Sequence, residues 1–228
     1  VCCMKFLLVM LMSFSVMMAN TILGQVVKLN GSVKLLKADS IKKSKVNLGD
    51  FLYKNDMLIT LSKARAVVML SDGSKVILDP KSKLKVLGKS DLEQEEGKIY
   101  YHIKKRSAKG LKVKTNFAII GVKGTKFIVS DDTTKAVSLK EGLVGVDSVE
   151  GAFEHHKQRE MDEFAAYQAK QNGEFEKYKK ELNEAFVEYV NSFDLKPGKT
   201  VSFNGKRADE VESEATVMQA FSHFEKFE

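Results

Sequence analysis

The first two thirds of the chain carry short runs of alternating apolar and polar residues, separated by turn-forming residues. This period of two is typical of β-strands that bury one face, so the pattern predicts many short strands. In residues 97–104 it places Ile99 and Tyr101 on one face and Tyr100 and His102 on the other. We expect the second face to be exposed to solvent.

Three consecutive apolar residues, Val76, Ile77 and Leu78, form a predicted strand that is apolar on both faces. Such a strand lies inside a sandwich or a solenoid, because a sheet with one solvated face keeps polar residues there. The aspartate–glycine pair at 72–73 before it is a tight-turn signal. We therefore predict a mainly β domain over residues 21–148, built as a β-solenoid or sandwich of many short strands.

After residue 151 the pattern changes to that of a helix. Residues 153–193 are rich in Glu, Lys, Ala and Gln and contain no proline, which predicts a long amphipathic helix over 152–194. A glutamine–asparagine–glycine sequence at 171–173 would divide it into a helical hairpin. Apolar residues recur three or four apart in its second half. These residues, the candidate partner surface, are Phe175, Tyr178, Leu182, Phe186, Tyr189 and Phe193. The face would pack on its own domain or bind a partner as a coiled coil.

Residues 195–228 predict a small hairpin followed by a C-terminal helix. Residues 200–203 are strand formers, and Asn204 and Gly205 after them favour a hairpin turn. Asp209 and Glu212 fit the spacing of a helix capping box. The helix after it would present one apolar face, formed by Val217, Phe221 and Phe224. If the hairpin returns to the β domain, the long helix is an excursion from a single unit.

The formal net charge of +7 is unevenly distributed along the chain. Residues 20–150 contain 25 basic against 14 acidic residues, whereas residues 151–228 contain 11 against 16. The basic part is either solvated, or docks the acidic part, or faces an anionic polymer or membrane surface. The densest positive cluster, the candidate anion contact, is Lys104, Lys105, Arg106, Lys109, Lys112 and Lys114. On a sheet edge these residues would also resist unwanted strand pairing.

The N-terminus has the features of an export signal. Lys5 precedes an apolar stretch that ends at Ala19, a small residue suited to cleavage, so residues 1–19 predict a signal peptide. The alternative is an uncleaved anchor that runs to about Val27, although polar residues interrupt the ~20 apolar residues that a spanning helix needs. We expect a periplasmic or secreted protein, with no membrane span after cleavage and no nucleic acid as partner.

Both cysteines, Cys2 and Cys3, lie before the apolar stretch rather than after it. A lipid-modified cysteine would have to follow that stretch, so no lipid anchor is expected, and the cleaved chain would contain no disulfide. We expect the apolar core to stabilise the fold alone.

The sequence contains no motif of a known catalytic chemistry: no nucleophile elbow, no phosphate-binding loop and no zinc-protease helix. Glu154, His155, His156 and Glu160 would offer two ligands one helical turn apart, whereas a zinc site needs at least three convergent ones. We therefore expect a non-enzymatic protein without metal or cofactor.

The ordered set of turn residues resembles the FecR domain, a bacterial envelope module. The resemblance covers about residues 24–146 and depends on spacing, because each residue alone is a common turn former. The residues that carry it are Gly49, Asp50, Asp72, Gly73, Ser74, Pro80, Gly97, Thr115, Gly121, Gly124, Thr125, Phe127, Glu141 and Gly142. They are turn and core positions, so they imply an architecture rather than a reaction.

FecR domains occur in transmembrane regulators, where a periplasmic β domain described as solenoid-like receives a signal from an outer-membrane receptor and a cytoplasmic segment controls a sigma factor. Because the export signal comes first here, we expect only the exported half. The resemblance implies a non-enzymatic binding or sensing module that acts through protein contacts in signal transduction. The alternative is a structural envelope protein that binds glycan or another anionic polymer through the candidate anion contact.

Overall fold

The computed structural model describes residues 21–105, 110–157, 167–168, 170–174, 177 and 186–228. Nineteen strands are present among them. In chain order these are β1 (Gly24–Asn30), β2 (Val33–Leu36), β3 (Ser44–Lys45), β4 (Phe51–Leu52), β5 (Met57–Thr60), β6 (Arg65–Leu70), β7 (Lys75–Leu78), β8 (Lys83–Gly88), β9 (Asp91–His102), β10 (Leu111–Lys114), β11 (Ala118–Val122), β12 (Lys126–Asp131), β13 (Lys135–Glu141), β14 (Val144–Ser148), β15 (Phe153–Lys157), β16 (Phe186–Val190), β17 (Ser192–Leu195), β18 (Lys199–Asn204) and β19 (Arg207–Glu212). A C-terminal helix, α1, spans Ala215–Phe227.

The strands form two layers, which we name sheet A and sheet B. Sheet A has the order β4-β1-β6-β7-β9-β12-β13-β18-β19-β15-β16. Sheet B has the order β3-β2-β5-β8-β9-β10-β11-β14-β17. Among the described strand pairs, only β9–β10 and β15–β19 are parallel. The prediction of a mainly β fold with a C-terminal helix is confirmed, while a solenoid stays a prediction.

Strand β9 belongs to both layers and bends at Gly97. Its first half pairs with β8 and β10 in sheet B, and its second half pairs with β7 and β12 in sheet A. Gly97 has a φ of +90°, and an added Cβ would lie 2.3 Å from the Ser82 Oγ and 2.5 Å from the Ser82 Cα. Only glycine fits this bend, since it has neither a Cβ nor a penalty for positive φ.

A buried amide fastens the two halves of β9 to each other. The Gln94 Nε2 donates to the carbonyl oxygens of Gly97 at 2.8 Å and of Val129 at 3.1 Å. Its Oε1 accepts a hydrogen bond from the Tyr101 hydroxyl at 2.9 Å. The Tyr101 ring stacks on Phe127 with centroids 4.7 Å apart. This network satisfies the polar groups of Gln94 inside the core, where an unpaired amide would be costly.

The main core lies between the layers and takes the inward residues of both. In β7 these are Val76 and Leu78, both fully buried. Ile77 points to the outer face of sheet A and is equally buried, because α1 covers it. The segment is therefore apolar on both faces because one face meets the opposite layer and the other meets a helix.

The C-terminal hairpin joins sheet A through β13 and β15. The predicted capping box is wrong, because Asp209 and Glu212 lie within β19. There, Arg207 bonds Asp209, and Lys199 on β18 bonds Glu212. Helix α1 starts after Glu214, whose side chain makes no capping hydrogen bond within the described structure.

The helix or helical hairpin predicted over 152–194 is wrong at both ends. These ends form strands β15, β16 and β17. Phe153 and His155 alternate inward and are 2% exposed, so the position beside β19 determines their conformation more strongly than helix propensity does. Residues 167, 168, 170, 171 and 177 are helical, and the other residues from 158 to 185 that would test the helix lie outside the described residues.

Replacing Gly97 by Ala should destabilise the protein by about 3 kcal/mol or more, because positive φ and a backbone clash both oppose a Cβ. The matched control is Gly198→Ala, where φ is +81° but no described atom lies within 4 Å of the new Cβ. We expect a loss of only about 1 kcal/mol there. Urea unfolding monitored by circular dichroism measures both, and equal losses would contradict the role of Gly97.

Candidate partner-binding surfaces

The motif residues with described side-chain contacts hold turns together. Asp72 accepts hydrogen bonds from the backbone N–H of Ser74 at 3.0 Å and from its hydroxyl at 2.8 Å. The same Ser74 Oγ accepts from the N–H of Lys104 at 3.1 Å, which ties this turn to the end of β9. Thr115 Oγ1 donates to the carbonyl of Ala118 at 2.9 Å and accepts from its N–H at 3.0 Å. These contacts are structural, so partner binding has to be sought on the outer surfaces.

Other motif residues occupy corners and strands of the two layers. Gly142 has a φ of +94°, and a Cβ there would lie 2.6 Å from the carbonyl oxygen of Gly124 and from the Thr125 methyl group. This close approach joins the turn before β12 to the turn after β13. The remaining positions are Gly49 and Asp50 before β4, Gly73 in the turn between β6 and β7, Pro80 before β8, Gly121 inside β11, Phe127 in the core and Glu141, which pairs with Lys126.

Helix α1 lies on the outer face of sheet A, over a surface that we name the helix-docking face. Phe224 stacks on Tyr100 with centroids 5.5 Å apart and planes 8° apart, and Phe221 meets the same ring edge-on at 6.1 Å. Both phenylalanines are at most 2% exposed. The helix-docking face consists of Val27, Val67, Ile77, Tyr100 and Ile128, from five strands. It is a second apolar cluster, separate from the core between the layers.

Charged residues surround this cluster, with the acids on the helix and the bases mainly on the strands. Glu225 accepts from the Lys140 Nζ at 2.7 Å. Glu228 pairs with the Lys75 Nζ at 3.2 Å and with the His102 Nδ1 at 2.9 Å. Further contacts join Lys28 to the carbonyl of Phe227 and Arg65 to His223. The acidic C-terminal half of α1 therefore lies among basic residues of sheet A.

Tyr100 is fully buried beneath α1, whereas the alternation of the sequence predicted it on a polar face. No described residue hydrogen-bonds its hydroxyl group. Burial, together with the nearby carboxylates of Glu225, Glu228 and Glu141, raises the pKa of Tyr100 well above its ordinary value. The helix-docking face thus contains a neutral hydroxyl to which none of the described side chains or backbone groups bonds.

The outer face of sheet A continues beyond α1 over β18, β19, β15 and β16, and we name this part the end face. Three large apolar residues are exposed there: Tyr189 at 75%, Val211 at 43% and Val187 at 40%. They share one side of the sheet. Val187 of β16 is in register with His156 of β15, and His156 is in register with Asp209 of β19. Tyr189 and Val211 lie two residues further along these strands and therefore point to the same side. Polar contacts such as that of the His156 Nε2 with the Glu154 Oε1 at 2.7 Å surround them.

Only part of the candidate partner surface lies within the described residues, and the two side chains described there do not share a face. Tyr189 points outward on β16, whereas Phe193 on β17 packs against the core and lies edge-on to Phe153 with centroids 5.7 Å apart. The side chain of Phe186 and the residues Phe175, Tyr178 and Leu182 lie outside the described residues. Tyr189 and Phe193, four residues apart, would share a face of a helix. Here they belong to two strands in different layers.

Two residues of the candidate anion contact, Lys112 and Lys114, lie on an interior strand instead of the predicted sheet edge. Strand β10 pairs on both sides, and its Lys112 and Lys114 are in register with Asp91 and Glu93 of β9. The Lys114 Nζ is 3.8 Å from the Glu93 Oε1. Lys104 and Lys105 lie at the end of β9, and Arg106 and Lys109 lie outside the described residues. Neighbouring carboxylates offset the positive charge, so the geometry gives little support for polyanion binding.

The two adjacent histidines of β15 point to opposite sides of sheet A. The His155 ring is 2% exposed, stacks on Phe193 at 4.0 Å and places its Nε2 2.9 Å from the Glu210 Oε2. The His156 ring points outward and contacts Glu154. The two rings cannot share an ion across the sheet, and the fourth residue, Glu160, lies outside the described residues. A strand assignment for 153–157 would have revealed the buried histidine from sequence.

Two features are absent from the described part of the chain. It contains no group of three or more histidine, cysteine or acidic side chains placed to hold a metal ion. None of its helices combines the length and the apolar character required to cross a membrane.

Comparison with known proteins identifies one family. Residues 56–145 match the family model described as FecR protein, which confirms the resemblance inferred from the turn residues. Two crystal structures of a candidate anti-sigma factor from Parabacteroides distasonis ATCC 8503, at 1.65 Å and 2.50 Å, match with a TM-score of 0.49 and 17% identity. The matches cover 73% of this chain and 64% and 63% of the other chains, so this chain spans less than two thirds of their length. No curated protein matches.

Replacing Glu228 by Gln should cost about 0.5–1 kcal/mol at pH 7 and nothing measurable near pH 3. Burial alone would raise the pKa of Glu228, but hydrogen bonds from His102 and Lys75 outweigh burial, so the pKa is lowered. A lowered pKa stabilises the folded state above the unfolded value of about 4 and loses that stabilisation as the pH falls through the folded value. The difference in unfolding free energy between the wild-type protein and the Glu228→Gln variant should therefore vanish in acid.

The control for this measurement is Glu212→Gln, which removes a carboxylate whose side chain is 71% exposed. We expect a change below about 0.5 kcal/mol at both pH values. Urea unfolding at pH 7 and at pH 3 compares each of the two variants with the wild-type protein. A constant deficit of the Glu228→Gln chain across pH would contradict the assigned ion pairs.

Proposed function

Because residues 56–145 carry a FecR domain, we propose that this chain is a non-catalytic signalling module that acts by binding another protein. The family match supports the broad class, a regulatory module related to signal transduction. The described motif residues support a scaffold role, since their contacts hold turns and core. Binding then falls to the outer surfaces of the sheets.

The observation that carries the proposal is the end face. Tyr189 is 75% exposed, and Val187 and Val211 expose two-fifths of their area beside it. An apolar group surrounded by polar residues is typical of a protein interaction site, and tyrosine is among the residues that contribute most to binding energy. Polar contacts around it, such as Arg207 with Asp209 at 2.8 Å and His156 with Glu154 at 2.7 Å, would form a polar rim.

In this proposal the module acts in the periplasm or outside the cell. Support comes from residues 1–19, whose basic start, apolar stretch and small terminal residue are typical of a signal peptide. The partner is then a protein of the bacterial envelope. The alternative role in binding glycan or another anionic polymer has weaker support, because Asp91 and Glu93 lie beside the two lysines of β10.

A photo-crosslinking amino acid at position 189 tests the proposal in living cells. We expect it to capture one envelope protein, because the end face is the surface that binds. The same group at Ile41, which is fully exposed on the loop between β2 and β3, is the control and should not capture that protein. The affinity tag belongs in the exposed turn around Thr133, which leaves α1 unchanged. Mass spectrometry identifies the product.

A Val211→Lys substitution adds a second readout. It places a charge on the end face without a change in the core, so it should reduce the yield of crosslinks from position 189 about tenfold. Equal yields from positions 189 and 41 would contradict the end face as the binding surface. Crosslinks only between copies of the chain would replace the proposed partner by self-association.

A further inference from the structure

We propose that the helix-docking face is a binding site for an amphipathic helix of a partner protein, and that α1 is an inhibitory occupant which this helix displaces. The partner helix would carry two large apolar residues three positions apart and carboxylates towards its C-terminal end. It would also place a hydrogen-bond acceptor over the Tyr100 hydroxyl. This site is separate from the end face, so the inference does not depend on the function proposed above.

The present occupant defines the chemistry that the face accepts. Phe221 and Phe224, three residues apart, pack on Tyr100 in two geometries favoured by aromatic pairs. Val217 and Phe227 extend this contact at the two ends. A helix of another protein with the same spacing can make the same contacts, which is the common way in which an amphipathic helix binds a groove.

The charges around the face favour one type of helix. Lys75 and Lys140 bind the carboxylates of Glu228 and Glu225, and Lys28 donates to the carbonyl oxygen of Phe227, the last residue of α1, at 2.8 Å. Basic residues near a helix C-terminus also interact favourably with the helix dipole. These three lysines would bind a partner helix with an acidic C-terminal half in the same orientation.

The Tyr100 hydroxyl shows that α1 is not the best possible occupant. It is fully buried, and no described residue accepts or donates a hydrogen bond to it. Its surroundings on the sheet, Val67, Ile77 and Ile128, are apolar, so an acceptor would have to come from the helix above. An unsatisfied buried hydroxyl opposes docking, and a partner helix that supplies an acceptor would remove this cost.

The fold allows α1 to leave without opening the sheets. Helix α1 makes no strand pairs, and it follows β19 through the short connection of Ser213 and Glu214. The cluster under it is distinct from the core between the layers. Release would therefore expose the helix-docking face alone, and such an apolar surface has to be covered again.

A fluorescent peptide of residues 213–228 is the probe, and the full-length chain with Phe221→Ser and Phe224→Ser is the opened form. We expect the opened chain to bind the peptide about tenfold more tightly than the wild-type chain, whose own helix competes. A peptide with both phenylalanines replaced by Ala is the matched control and should not bind. An opened chain that keeps its β circular dichroism but binds no peptide overturns the proposal. So does an opened chain that loses its fold, because α1 would then be part of the core.

The orphan hydroxyl gives a second test that leaves α1 unchanged. Tyr100→Phe removes the unpaired group, so the α1 amides should exchange with deuterium about tenfold more slowly than in the wild-type chain. Tyr101→Phe is the matched control, since its hydroxyl is bonded to Gln94, and it should not slow exchange in α1. The wild-type α1 amides should exchange faster than those of β9. Equal exchange of α1 and β9, or no effect of Tyr100→Phe, contradicts a displaceable helix.

Sedimentation of the wild-type chain separates the partner from a second copy. We expect a monomer in which α1 covers its own sheet. A dimer that dissociates when Phe221 and Phe224 are replaced would assign the face to self-assembly by helix exchange and would overturn the partner role.

Discussion

The bend of β9 at Gly97 is the constraint on which the rest of the structure depends. One strand supplies the pairing edges of both layers, so β7, β8, β10 and β12 are all positioned by it. The bend needs a residue without a Cβ, and Gln94 bonds the carbonyl oxygens of Gly97 and Val129 from inside the core. Two sheets that share a strand in this way cannot slide past each other.

Neighbouring residues of β9 belong to two different apolar clusters. Tyr101 points inward, bonds Gln94 and stacks on Phe127, whereas Tyr100 points outward and stacks on Phe224 of α1. The first tyrosine has a hydrogen-bond partner, and among the described residues the second has none. The inward tyrosine is therefore satisfied in the core, whereas the outward one opposes docking of the helix above it, and a surface of this second kind is expected to exchange occupants.

Alternation and turn residues were enough to predict a mainly β domain before residue 148 and the FecR resemblance, because both signals are local. The cover of Tyr100 was not predictable in this way, since its ring meets Phe224 from the far end of the chain and Glu228 reaches His102 over 126 positions. The helix predicted over 152–194 was wrong at its two ends for the same reason. Its Glu- and Lys-rich composition favours a helix locally, but β19 offers β15 a parallel pairing edge that local propensity does not show.

Both proposed surfaces lie on the outer side of sheet A, and for the helix-docking face the charges of the two sheets give a reason. On sheet B, Lys114 is in register with Glu93 and Lys112 with Asp91, so opposite charges already pair across the strands. On sheet A the lysines under α1 find their carboxylates on the helix instead of on neighbouring strands. A surface that obtains its counter-charges from a separate element can obtain them from a different molecule, which makes sheet A the side on which partners can compete.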